Sequence, residues 1–85
     1  MSVQLLYFAW LRQEVGTASE AIELPAGIAT VAALMAWLRG RGGGYAAAFA
    51  EDAVLRAAVN KKVVDYSHPI AAGDEIAFFP PFTGG

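Results

Sequence analysis

A few stretches of this 85-residue chain hold residue types that could do chemistry. Gly40-Arg41-Gly42-Gly43-Gly44 is glycine-rich enough to wrap a phosphate. A phosphate-binding loop needs G-x-x-x-x-G-K-[ST] between a strand and a helix, with the lysine and hydroxyl for phosphate and metal. Here Tyr45-Ala46 stands where Lys and Ser/Thr would be, and the stretch follows a helix, so it reads as a flexible connector. His68 is the sole histidine and precedes Pro69 in a turn; with no second ligand or nucleophile beside it, its role reads as structural. The acidic pairs Glu51-Asp52 and Asp74-Glu75 are sequence neighbours. Adjacent side chains of an extended segment face opposite ways, so neither pair forms a general acid/base dyad, and both read as solvated edges. Lys61-Lys62 sits at a hairpin tip, too few cations for nucleic acid but enough to meet an acidic protein. Trp10 and Trp37 fall in predicted helices and read as core.

No side-chain constellation therefore points to catalysis, and none has the composition of a metal site. What remains is the stretch that ends in Gly84-Gly85. It directly follows an apolar strand, is projected by Pro80-Pro81 and carries Phe82. Glycine lacks a Cβ and passes through channels that would clash with any other residue. A Gly-Gly end suits a carboxylate that threads into another protein's active site. The reacting group would then be the α-carboxylate of Gly85.

The elements that must hold this tail follow from composition and pattern. Hydrophobic residues make up 56% of the chain and charged residues 16%, against a usual charged share of about 25%. The length suits one small domain, expected over residues 1–81, with a flexible tail at 82–85. A net charge of −2 argues against nucleic acid, which requires a basic face. The absence of cysteine excludes disulfides, thiolate metal sites and thiol nucleophiles. No apolar run approaches the ~18–20 residues of a membrane span, and no basic segment leads into a long apolar stretch as in a signal peptide. A cytoplasmic protein without a membrane partner is the expectation.

Ser2 to Phe8 reads as a strand with apolar residues on both faces, Val3, Leu5 and Tyr7 on one and Leu6 and Phe8 on the other, which marks a central strand. Ala9 to Val15 reads as a short helix stopped by Gly16, and Glu20 to Leu24 as a half-polar strand closed by Pro25-Ala26-Gly27. Thr30 is a helix N-cap; beyond it Val31, Leu34, Met35 and Leu38 form an apolar stripe that ends at Arg39-Gly40. Arg41 to Gly44 reads as flexible loop and Tyr45 to Asp52 as a helical turn. Leu55 to Val59 and Lys62 to Val64 form a hairpin about Asn60-Lys61, turns follow at Ser67-His68-Pro69 and Ala72-Gly73-Asp74, and Glu75 to Phe79 is the last strand, ended by Pro80-Pro81. Pairing the apolar first and last strands in the middle, with one main helix over one face, gives an α+β roll with a mixed sheet. That arrangement is the β-grasp, or ubiquitin-like, fold.

Ala57-Ala58-Val59-Asn60, His68-Pro69 and above all the run Gly73-Asp74-Glu75-Ile76-Ala77-Phe78-Phe79-Pro80-Pro81-Phe82-Thr83-Gly84-Gly85 closely resemble the small, sulfur-carrying subunit of molybdopterin synthase. The first strand and Phe8-Ala9, with Arg12-Gln13-Glu14-Val15-Gly16, resemble that family's N-terminal segment more loosely. Phe82 stands where the family often has a smaller apolar residue. The resemblance implies a β-grasp carrier whose Gly85 is adenylated, at the expense of ATP, by an adenylyltransferase of the ubiquitin-activating type. The acyl adenylate becomes a thiocarboxylate, and Gly84-Gly85 deliver its sulfur to cyclic pyranopterin monophosphate inside the large synthase subunit, in a heterotetramer. Molybdopterin is the product, and no cofactor is bound by the chain itself. Phe79, Pro80, Pro81, Phe82 and Thr83 would face the partner, with Phe79 or Phe82 as anchor and one of Phe78 and Phe79 in the core. The chain would belong to an enzyme without itself supplying catalytic side chains. A carrier for another pathway such as thiamine synthesis, a ubiquitin-like modifier of lysines, or a plain interaction domain are the other readings that a Gly-Gly end allows.

Overall fold

Residues 1–81 are described by a computed structural model of the chain. Their order is β1 (Ser2–Tyr7), α1 (Trp10–Val15), β2 (Ser19–Glu23), α2 (Val31–Arg39), α3 (Gly43–Ala48), β3 (Arg56–Val59), β4 (Lys62–Val64) and β5 (Glu75–Phe79). The five strands form one sheet in the order β2-β1-β5-β3-β4. β1 and β5 run parallel, in the register Gln4↔Glu75 to Tyr7↔Phe78; the other three pairings are antiparallel. The first and last strands thus meet inside the sheet, and the mixed α+β roll expected from the sequence is the observed fold.

Alternation along the strands sends Val3, Leu5 and Tyr7 of β1 and Ile76 and Phe78 of β5 to one face. Leu11 of α1, the stripe Val31, Leu34, Met35 and Leu38 of α2, and Ala48 of α3 join the same cluster, so all three helices cover that face. Phe49 lies at its centre, edge-on to Phe78 at 4.9 Å and to Tyr7 at 6.2 Å between ring centroids. Such side chains stabilise by about 1.5–3 kcal/mol each on full burial. The Thr30 hydroxyl accepts from the Ala33 amide at 3.1 Å and starts α2 as expected. Asn60 and Lys61 both take positive φ, 51° and 72°, as a two-residue hairpin turn requires.

Four expectations need correction. Arg41 and Gly42 form a short connection, but Gly43 and Gly44 are not loop: they open α3, and the helical segment runs from Gly43 to Ala48, not to Asp52. Glycine is a poor helix former, but here tertiary packing overrides propensity. α1 and α3 approach so closely that a Cβ on Gly44 would collide with the Glu14 carbonyl. Trp10 is 40% exposed and is not core, whereas Trp37 packs half-buried against the core. The first helix begins at Trp10 because Ala9 turns the chain, with φ 56° and ψ −134°.

The collision at Gly44 makes a sharp expectation. Gly44→Ala must push α3 away from α1 and should cost about 1–3 kcal/mol of stability, read as a lower midpoint in urea unfolding. An unchanged midpoint would show that the two helices do not touch backbone to backbone.

Candidate functional site

The sheet face away from the helices remains open. Ladder register places Leu6, Ala77, Ala58 and Val63 side by side across four strands. In the next row Phe79 stands opposite Arg56. Phe8 lies just past β1, where its amide donates to the Phe78 carbonyl at 3.2 Å. Phe8 is 48% exposed and Val63 57% exposed. Leu6, Phe8, Ala77 and Phe79, with Lys61 and Glu75 at the polar end, line a groove of about 430 Å³. Grouped apolar side chains left open to water on one face mark an interaction surface.

The groove leads to the tail. Because β1 and β5 are parallel, the chain leaves the sheet at Phe79 beside Phe8, and Pro80 and Pro81 continue from there, half-buried. Of the adjacent pair, Phe78 is fully buried and Phe79 lines the groove. Of the tail residues singled out in the sequence, Phe79, Pro80 and Pro81 fall together at this exit; Phe82, Thr83, Gly84 and Gly85 lie outside the described residues. The groove also has apolar members not singled out as site residues: Leu6, Phe8 and Ala77. For Leu6 and Phe8 the signal was the apolar second face of the first strand, which fitted burial in a central strand equally well.

The other candidate groups have structural employment. Asp74 accepts from the Asn60 side-chain amide at 3.0 Å and from the Ala71 amide at 2.8 Å, tying the hairpin turn to the approach of β5. The Asn60 side-chain carbonyl in turn accepts from the Glu75 amide at 3.0 Å. His68 offers its backbone carbonyl to the first amide of α2. Glu51 pairs with Arg39 at 3.6 Å. Among the described residues no group of three or more His, Asp or Glu is placed to hold a metal ion, and no helix is long and apolar enough to cross a membrane.

A second polar cluster was not anticipated. The half-buried Glu20 carboxylate accepts from the Tyr7 hydroxyl at 2.9 Å and from the Tyr45 hydroxyl at 2.6 Å, both at Oε2. Arg41 stands 3.8 Å from Glu20 Oε1 and lies over the rings of Tyr45 and Trp37, 4.3 and 5.4 Å from their centroids. Burial, followed by the hydrogen bond to Glu20, holds the Tyr7 phenol well above its ordinary range, and the same causes raise Tyr45. Both phenols stay protonated at neutral pH and donate to Glu20, so the cluster clamps β2 to α3.

The model of the ThiS family matches residues 5–85. The chain belongs to the ThiS family. Among curated ThiS-like relatives, it is 45% identical over 83 residues to the molybdopterin synthase sulfur carrier subunit of Escherichia coli (strain K12), covering 98% of this chain and 99% of that protein. It is 37% identical, over the same shares, to the subunit of that name in Haemophilus influenzae. Among solved structures it is similar to a putative molybdopterin converting factor subunit 1 from Pyrococcus furiosus, with a TM-score of 0.77 at 31% identity, over 95% of this chain and 98% of that one. It also shares its fold, with a TM-score of 0.67 at 23% identity and full coverage of both chains, with a protein in the complex of subunits 1 and 2 of molybdopterin-converting factor from Helicobacter pylori. The resemblance read from Gly73 to Gly85 is thus matched over nearly the whole chain.

The clamp gives this ThiS-family member a distinct alkaline behaviour. The folded Tyr7 phenol binds its proton more tightly than the unfolded one, whose pKa is about 10. Stability from this group is fully present below about pH 10 and falls as pH rises further. Tyr7→Phe should cost about 1–2 kcal/mol at neutral pH, through the lost hydrogen bond. The variant's unfolding free energy should decline less steeply than wild type from about pH 10 upward. Equal slopes in urea titrations across that range would refute the clamp.

Proposed function

We propose that the chain is the sulfur-carrier small subunit of a molybdopterin synthase, working in the cytoplasm. The observation that carries this reading is the open apolar groove at the root of the tail, on a chain matched end to end by carriers of that name. The groove fits a large synthase subunit, with Phe79 as anchor and Pro80, Pro81, Phe82 and Thr83 leading the tail inward. Two such pairs would make a heterotetramer.

The chemistry resides on Gly85. A carboxylate is a poor acyl electrophile. Attack of its oxygen on the α-phosphate of ATP, in a ubiquitin-activating-type adenylyltransferase, releases pyrophosphate and gives an acyl adenylate. A sulfur nucleophile displaces AMP and leaves a thiocarboxylate, which is ionised and nucleophilic at neutral pH. A chain without cysteine can in this way carry sulfur to cyclic pyranopterin monophosphate and yield molybdopterin after two transfers. Phosphate-binding and acid/base groups belong to the partners, which accounts for a chain with no evident catalytic constellation. Gly84 keeps the approach narrow enough to thread.

Two variants test the reading. Gly84→Val, coexpressed with the activating enzyme, should keep the wild-type unfolding midpoint yet show no species in which sulfur replaces one oxygen, as read by intact mass. Wild type should show it. Its absence from wild type would sink the carrier assignment. Phe79→Ala should raise the dissociation constant for the large subunit by about 10–100-fold, the usual range for an interface anchor. An unchanged constant would remove the groove from the interface.

A further inference from the structure

The charges around the groove are unevenly spread. From Ala53 to Val64 the chain has no acidic residue, although it carries eight Asp and Glu overall. In the same stretch lie Arg56, Lys61 and Lys62, half of its six Lys and Arg. All three are exposed. None is in an ion pair among the described residues, where the paired cations are the N-terminal amine, Arg39 and Arg41. Two border the groove: Arg56 is opposite Phe79, and Lys61 is in the lining. Glu75 is the one carboxylate in that lining.

The opposite edge of the sheet is the reverse. β2 carries Glu20 and Glu23 and no cation. Both are already satisfied within the chain, Glu20 by Tyr7, Tyr45 and Arg41, and Glu23 by the N-terminal amine at 2.7 Å. Of the two edges of the sheet, the β3–β4 edge is therefore the one whose strand and turn cations have no ion pair among the described residues.

We propose that the β3–β4 hairpin is an electrostatic dock for an acidic strip on the large synthase subunit, and that it selects the orientation in which the tail enters. This rests on the reading of the chain as the synthase small subunit. An apolar groove alone fixes contact but little direction. Covering the groove brings Arg56 and Lys61 to the rim of a drying interface, where unpaired cations are costly unless the partner supplies carboxylates. Unpaired cations on the β3–β4 side of the groove, with Glu23 at the far edge paired to the N-terminal amine, give the sheet a polarity that only one docking orientation satisfies. Such charge pairs act chiefly on the association rate and are screened by salt.

Stopped-flow association of the full chain with its large subunit tests this. The variants are Arg56→Glu, Lys61→Asp and Lys62→Glu, singly and combined; Asp suits the positive φ of Lys61. Combined reversal should slow association about tenfold or more at low ionic strength, with the gap closing near 1 M salt. Dissociation should change less than association. As a control for net charge, Ala32→Glu with Ala36→Glu adds as much negative charge as Lys61→Asp, but on exposed positions of α2. The control should leave association within about twofold of wild type, with Lys61→Asp slower than the control. Equal slowing by the control and Lys61→Asp would overturn the dock in favour of net charge. No effect of the combined reversal, or one insensitive to salt, would overturn it outright. Failure of wild type to bind the large subunit would overturn the reading beneath it as well.

Discussion

The parallel ladder between β1 and β5 is the constraint on which the rest of the molecule depends. Parallel strands cannot be joined by a tight turn and need a long crossover. Here the crossover includes all three helices and three strands. Because the two strands run the same way, both finish at the same end of the sheet, and the tail leaves beside Phe8.

One ladder serves two surfaces. Tyr7 and Phe78 form a pair on its buried side, against Phe49. Leu6 and Ala77 form the neighbouring pair on the open side, with Phe8 and Phe79 beyond them. A one-residue slip would exchange the two sets and destroy core and groove together. The register that stabilises the fold is thus the register that builds the groove. The Asn60 and Asp74 side chains support it from the side by tying the β3–β4 turn to the start of β5.

The sequence disclosed elements with strong periodicity or clear punctuation. The stripe of α2 with its Thr30 cap, the Asn60-Lys61 turn and the stop at Pro80-Pro81 are local features, and each appears where expected. Local rules failed where distant backbone decides. Gly43 and Gly44 read as loop because their helix propensity is low, yet Gly44 is in a helix pressed against Glu14. Arg41 read as part of a slack connector, yet it stacks on Tyr45 and Trp37 beside Glu20, partners brought together only by the fold. The groove was half legible. Apolar residues on both faces of the first strand were visible, but whether the second face meets protein or solvent depends on which side the helices take.

The pairing of β1 with β5 also has a consequence for biosynthesis. β5 follows every other described element, so the sheet has no middle until β5 has been made. Contacts so distant along the chain close slowly, because a long loop must be ordered before they form. A nascent chain interrupted before Phe79 would hold an unpaired edge on β1 and on β3 and expose half-built core to quality control. Completion of the sheet and arrival of β5 are therefore the same event. Every folded copy has therefore acquired the strand from which Pro80 and Pro81 leave the sheet.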